Sequence, residues 1–183
     1  MNNAIFIDRD GTINVDKHYV YNINKFYFID DVINAMIKLK KMNFFLIIVT
    51  NQSGIARGLF TQQEFILLTK WMISYLRLYN LHIDAIYFCP HHIQGVIKKF
   101  RKDCLCRKPS PGMLLDAKYR FNINMPTSYI VGDTISDMLA GHLAGIGTKV
   151  LVRSGKKITK ETVKMANRVI NSLASLPNLI NKQ

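Results

Sequence analysis

Apolar residues come along this chain in short solid runs separated by stretches of helical period. Ala4 to Ile7 is the first run and Phe44 to Val49 the second, and Ile83 to Phe88, broken by Asp84, reads as a third short strand. Ser128 to Val131 and Lys149 to Val152 follow. Runs this short, with no polar alternation, predict strands buried on both faces. Between them, Val32, Ile33, Met36, Ile37 and Leu39 line one side of a helix that reaches about Lys41. Asp30 or Asp31 is its expected cap. Phe65, Leu68, Met72, Tyr75 and Leu76 recur at the same spacing over Thr61 to about Leu78. Thr61 and Glu64 there fit a capping box, and Trp71 reads as core or docking surface. Pro111 opens a third helix to Arg120. A short helix ends near Gly145, and one more is expected between Thr159 and Leu176, ahead of a polar tail. Ile13 to Phe28 has no clean period. It reads as a loop or small hairpin flap beside the mouth of the first strand, where such segments often shape substrate entry.

Strands alternating with helices through short connections predict an α/β fold, a doubly wound, Rossmann-like parallel sheet. At 183 residues a single domain covering 1–183 is expected, with no large cap domain and with 89–107 inserted as an irregular loop. Ligands in such sheets bind beyond the carboxyl ends of the strands. The regions around Asp8, Thr50, Lys108 and Asp133 all fall at or after predicted strand ends, which argues for one shared site.

The chemistry begins where the first strand stops, at Asp8-Arg9-Asp10-Gly11-Thr12. Residues two apart on a strand point the same way, so Asp8 and Asp10 can reach one pocket. Gly11 permits a sharp turn there. Two carboxylates this close repel each other and call for a cation or a shared proton. Mg²⁺, a hard ion suited to oxygen ligands and phosphates, fits. The expected ligands are Asp8, the backbone carbonyl of Asp10, and Asp133, with Asp137 supporting them from behind. Asp137 also suits the acidic first turn of the helix it begins. Thr50-Asn51-Gln52-Ser53-Gly54, at the end of the second strand, offers a hydroxyl and amides to a phosphate oxygen. The plain alternative is an Asn-Ser-Gly turn.

All three cysteines lie in one window. Cys89-x-His91 and Cys104-x-Cys106 form two ligand pairs of identical spacing, together a full tetrahedral set for a structural Zn²⁺. His92 is the rival to His91. An odd cysteine count argues against a disulfide scheme. Arg107 and Lys108 follow the last ligand directly. The loop would hold them at the rim of the site, Lys108 to neutralise a phosphoryl group and Arg107 to grip substrate oxygens.

The net charge of +13 raises the question of a polyanionic partner. Basic residues cluster at Lys98, Lys99, Arg101 and Lys102, and at Lys156, Lys157, Lys160 and Lys164. Neither cluster carries a nucleic-acid-binding motif, and both read as solvated faces with some contribution to attracting a phosphorylated substrate. The longest apolar run is far too short to cross a membrane. No basic segment leads into an apolar one at the start, so no signal peptide is expected and the cytoplasm is the expected location.

The motifs around Asp8, Thr50, Cys89-Pro90-His91-His92, Cys104-Leu105-Cys106-Arg107-Lys108-Pro109 and Gly132-Asp133 occur in the order found in the haloacid-dehalogenase-like (HAD) phosphatases. Within that superfamily the chain resembles the heptose 1,7-bisphosphate 7-phosphatase family over essentially its whole length. Histidinol-phosphate phosphatase, with a similar zinc loop, is the nearest sister. The resemblance implies Asp8 as nucleophile and Asp10 as general acid/base. It implies Thr50 and Lys108 as phosphoryl stabilisers and Arg107 in substrate recognition. Further substrate contacts are implied from Asp16, Lys17, His18 and Tyr19, from Thr50, Asn51, Gln52 and Ser53, and at Thr134. One departure stands at Thr134, where the family usually has Lys or Arg, so a substrate contact is expected to be weakened. The implied activity is Mg²⁺-dependent release of the C7 phosphate in lipopolysaccharide-core synthesis. The partners expected are a small phosphorylated sugar, with no nucleic acid and no membrane, for a monomeric protein. A zinc-stabilised basic binding module without catalysis is the rival of another class, and the intact Asp8, Asp10, Lys108 and Asp133 argue against it.

Overall fold

The computed structural model describes residues 1–181, so the last two residues of the expected polar tail, Lys182 and Gln183, lie outside it. Strand and helix alternate along the chain. The strands are β1 (Ala4–Ile7), β2 (Phe45–Asn51), β3 (Ala85–Cys89), β4 (Tyr129–Gly132), β5 (Thr148–Val152) and β6 (Arg168–Ile170). The helices are α1 (Val32–Lys41), α2 (Gln62–Arg77), α3 (Gly112–Phe121), α4 (Ile135–Leu143), α5 (Lys160–Met165) and α6 (Leu176–Ile180). All strand pairs are parallel, and the sheet order is β3-β2-β1-β4-β5-β6. The chain builds outward from β1 to β3, then crosses back to lay β4 on the other side of β1. The carboxyl end of β1 is therefore the switch point, where a crevice opens. No large cap domain occurs among the described residues.

The unbroken apolar strands follow from burial on both faces. In β1, Ile5 and Ile7 enter one core with Leu46, Ile48, Val131 and Val150. Ala4 and Phe6 enter the other with Ile47, Val49 and Ile130. Met36 and Leu39 of α1 and Leu68, Met72 and Leu76 of α2 close the first core. Met113, Leu114 and Ala117 of α3 and Ala140 of α4 close the second. Burying a Leu or Ile this fully is worth about 1.5–3 kcal/mol each, so the strand ends are held on a stiff platform.

The flap after β1 is a small hairpin. Asn14 bridges Phe28 in antiparallel fashion, and Val15 N donates to Tyr27 O at 2.9 Å. Its base is pinned by rings. Phe28 stacks on Tyr75 at 5.2 Å and Phe26 meets Trp71 edge-on at 5.5 Å, so Trp71 and Tyr75 of α2 dock the flap.

Three local expectations meet different outcomes. Thr61 caps α2 in an extended conformation, and the capping box with Glu64 is complete. Asp31 stands at the α1 N-cap but caps nothing with its side chain. At φ 59° its backbone is left-handed, which turns the carboxylate away from the helix amides; it accepts instead from Asn34 Nδ2 at 3.3 Å. The helix expected between Thr159 and Leu176 is α5, and the strand β6 follows it where the sequence reading has none. Asn167 exchanges bonds with Lys149 at 2.8 and 2.9 Å and brings Arg168–Ile170 onto the edge of β5. Edge pairing, rather than any local period, makes this short strand.

Candidate active site

β1 ends its regular pairing at Ile7, and Asp8 N extends the ladder by donating to Val131 O at 2.9 Å. The chain then turns sharply. Gly11 N donates to Asn14 O at 2.7 Å with Gly11 at φ 80°, a conformation that favours glycine. Asp10 is thus outside the strand, and it reaches the pocket of Asp8 through this turn rather than through strand alternation. Its carboxylate is crowded with donors. Arg9 Nη2 lies 2.7 Å away, and Asn14 Nδ2 and Gln52 Nε2 each lie 3.0 Å away. Arg9, only 2% exposed, also donates to Val20 O of the flap at 2.7 Å.

Lys108 is not at the rim. It is 2% exposed, and its Nζ lies 3.0 Å from Asp8 Oδ1, 2.5 Å from Asp137 Oδ1 and 2.7 Å from Val49 O. A lysine this deep survives charged only when paired. Burial works to discharge it, but Asp137 and Asp8 outweigh burial and raise its pKa above the ordinary lysine value. Burial pushes the Asp8 carboxyl well above the usual range. Lys108 opposes that rise, while Asp137, Asp133 and Asp10 add to it. Asp133 is pushed up to about 6, by burial first and Asp137 second. Asp137 is fully engaged, since its Oδ2 accepts from Thr134 N at 3.1 Å and from Thr134 Oγ1 at 2.6 Å. This is a capping box on α4, and it commits the Thr134 hydroxyl.

A cavity of about 310 Å³ opens over these groups. Asp8, Asp10, Asp16, His18, Tyr19, Thr50, Asn51, Gln52, Ser53, Arg107, Lys108, Asp133 and Thr134 all line it. Lys17 does not. It is exposed, and its ammonium sits 3.9 Å from the centroid of the Tyr27 ring, where a cation over an aromatic face is favourable. Ser136 and Lys156 line the cavity without having been singled out in the sequence. Lys156 reads in the sequence as part of a basic run, although it follows the end of β5 and so obeys the strand-end rule. Its ammonium pairs with Asp16, and its backbone N donates to Asp133 Oδ2 at 2.8 Å. Asn51 ties the cavity to the cysteine loop, donating to Lys108 O at 2.9 Å and accepting from Lys108 N at 3.1 Å.

Cys89, His91, Cys104 and Cys106 come together, their ligand atoms all within 4.8 Å of one another. The sulfurs lie 3.1 to 3.5 Å apart, and His91 Nδ1 faces Cys106 Sγ at 3.4 Å. Tetrahedral Zn–S bonds of about 2.3 Å would place sulfurs roughly 3.8 Å apart, close to this arrangement. Burial, then the neighbouring Cys106, raises the Cys89 thiol, so its thiolate needs a cation beside it. Burial, then Lys102, lowers the His91 pKa and favours the neutral ring that a metal requires. His92 is elsewhere. Its Nε2 lies 3.1 Å from Arg57 Nη2 and its Nδ1 accepts from Gln94 N at 3.1 Å. The carboxylates of Asp8, Asp133 and Asp137 also gather within 4.8 Å. With Asp137 bound to Lys108 and Thr134, the oxygens of Asp8 and Asp133 form an acidic pair suited to a hard divalent ion.

The HAD-hydrolase-like family profile matches residues 105–176. The D-glycero-beta-D-manno-heptose-1,7-bisphosphate 7-phosphatase of Escherichia coli K12 is 57% identical over 180 residues, covering 98% of this chain and 94% of that relative. The chain belongs to this phosphatase family. The corresponding protein of Pasteurella multocida is 51% identical, covering 98% of this chain and 97% of its own length. Among solved structures, a D,D-heptose 1,7-bisphosphate phosphatase from B. bronchiseptica, complexed with magnesium and phosphate, matches with a TM-score of 0.85. It is 28% identical and covers 98% of both chains. The family is one of phosphomonoester hydrolases, and the fold and acidic cavity of this chain are those of such an enzyme.

Proposed function

We propose that this protein hydrolyses the C7 phosphate of D-glycero-D-manno-heptose 1,7-bisphosphate, leaving the 1-phosphate, on the route to ADP-heptose and lipopolysaccharide core. The observation that carries the reading is the paired Asp8 and Lys108 at the switch point of a chain 57% identical to such a phosphatase. Histidinol-phosphate phosphatase, the sister reading from the motifs, is not favoured by relatives this similar. The catalytic unit is taken as one domain over 1–183 with the 89–107 loop inserted.

The side chains support a two-step route. Lys108 holds Asp8 in the cavity and brings a positive charge beside it. Asp8 attacks phosphorus in line and forms an aspartyl-phosphate, which divides one difficult displacement into two. Asp10 gives a proton to the departing sugar oxygen, then takes one from the water that cleaves the intermediate. Arg9, Asn14 and Gln52 fix the Asp10 carboxylate for both tasks. Gln52 Nε2 also donates to Thr50 Oγ1 at 2.9 Å, which orients that hydroxyl toward phosphoryl oxygens. Mg²⁺ on Asp8, the Asp10 carbonyl and Asp133 would supply charge neutralisation at the phosphoryl oxygens. Asp137 positions Lys108 rather than a metal. Zn²⁺ on Cys89, His91, Cys104 and Cys106 would hold the loop that delivers Arg107 and Lys108. Arg107, Asn51, Ser53 and the Asp16, His18 and Tyr19 edge of the flap are assigned to the sugar and its second phosphate. Three cysteines gathered as ligands, with no disulfide among them, suit the reducing cytoplasm, and a monomer is the oligomeric state proposed. Among the described residues no helix is long and apolar enough to cross a membrane.

Asp8→Asn tests the mechanism. Turnover should vanish while circular dichroism and melting stay native. Near-wild-type turnover, with the asparagine verified by mass spectrometry, contradicts it.

A further inference from the structure

Arg107, Lys108 and Lys156 are the lysine and arginine side chains that line the cavity. Lys108 is committed to Asp8, Asp137 and Val49 O deep in the floor, and so serves the phosphate that reacts. Lys156 stands differently. Its side chain is 49% exposed, and its ammonium pairs with the carboxylate of Asp16 on the flap. The bridge spans the mouth of the cavity, from the flap on one side to the turn after β5 on the other.

Both ends are mounted on fixed backbone. On the β5 side, Lys156 N donates to Asp133 Oδ2 at 2.8 Å and Ser154 Oγ to Gly11 O at 2.8 Å. Gly155 packs so closely on Asp133 that a Cβ there would collide with its carboxylate. On the flap side, Asp16 Oδ1 accepts from His18 N at 2.9 Å. The ammonium is therefore the adjustable part, on a backbone anchored to the same turn and carboxylate that surround the reacting phosphate.

The lysine end of this pair is half-exposed while the Asp16 side chain is 14% exposed, so the ammonium is the end that solvent screens and that can be drawn away. A phosphate dianion offers more charge and more acceptor oxygens than the carboxylate it would displace. A substrate with a phosphate at each end buries one against Asp8 and turns the other toward the mouth. Resting on the sugar-bisphosphate reading above, we propose that Lys156 binds the substrate's second, non-reacting phosphate, exchanging Asp16 for it on entry. Asp16, once released, faces the sugar and can accept from a hydroxyl. Lys156 is thereby a specificity residue that separates a bisphosphate from a monophosphate.

The test is steady-state kinetics of wild type, Lys156→Ala and Lys156→Arg with Mg²⁺, on heptose 1,7-bisphosphate and on heptose 7-phosphate. Lys156→Ala should raise KM for the bisphosphate about tenfold or more, the scale of a lost charge-assisted hydrogen bond. Its kcat should stay near wild type, as should its KM for the 7-monophosphate, and Lys156→Arg should recover most of the loss. An equal rise in KM on both substrates, or no change on either, overturns the assignment. A wild-type enzyme that turns over the monophosphate but not the bisphosphate overturns the substrate reading, and this assignment with it.

Discussion

Lys108 Nζ lies 3.0 Å from Asp8 Oδ1, and both residues are buried in the floor of the cavity. The same ammonium lies 2.5 Å from Asp137 Oδ1 on the first turn of α4. One lysine therefore joins the end of β1 to the start of α4, and it arrives from the cysteine loop. The nucleophile, the acidic pair and the loop are one electrostatic unit.

Lys108→Met should lower kcat about 10² to 10³-fold, the range for removing one preorganised charge-stabilising donor. It should also destabilise the fold by about 3–5 kcal/mol, since Asp137 is left buried without its cation. Turnover and chemical denaturation check both. The double variant Lys108→Met/Asp137→Leu should recover part of the stability but not turnover: no unpaired carboxylate remains on α4, but the capping box through Thr134 is lost.

Zinc removal should act at a distance. Cys106→Ser is expected to abolish bound zinc, measured by elemental analysis, and to lower the melting temperature. Turnover should fall as well, because Arg107 and Lys108 follow Cys106 directly and Asn51 pairs with the Lys108 backbone on both sides. A variant with no zinc and full activity would separate the loop from the site.

Metal-free protein should lose stability as pH rises. Asp133 has its pKa raised above the ordinary 3.8, to about 6, so the folded state holds more protons than the unfolded one between those values. Stability then falls with rising pH across that window, by about 3 kcal/mol at most for a shift of roughly two units. Asp8, also raised by burial, adds in the same direction. Mg²⁺ favours the ionised carboxylates, so the rise in melting temperature on adding it should be larger at pH 7 than at pH 5. Thermal melts with chelator and with Mg²⁺ at the two pH values check this.

Much of this arrangement is legible in the sequence because it depends on local pattern. Ala4 to Ile7 reads as a buried strand, and the identical spacing of Cys89-x-His91 and Cys104-x-Cys106 selects the four residues that the fold brings together. What depends on contacts between distant segments is not legible. Lys108 follows a metal ligand and so reads as a rim residue, yet it meets Asp137 from another element and is buried. Lys156 sits in a basic run and reads as surface, yet Gly155 and Ser154 seat it against Asp133 and Gly11. Arg9, the variable residue of the first motif, gives no sign of holding Asp10. Lys17 is next to two flap residues that line the cavity, but the turn at His18 and Tyr19, both at positive φ, leaves it against Tyr27. β6 has only three residues, too few for a period to show.

The most direct test of the functional assignment is phosphate release with Mg²⁺ from D-glycero-D-manno-heptose 1,7-bisphosphate and from histidinol phosphate, with the sugar product identified. Strong preference for the heptose is expected, with a product that retains only its 1-phosphate. Preference for histidinol phosphate, or a heptose product that retains the 7-phosphate, would contradict it.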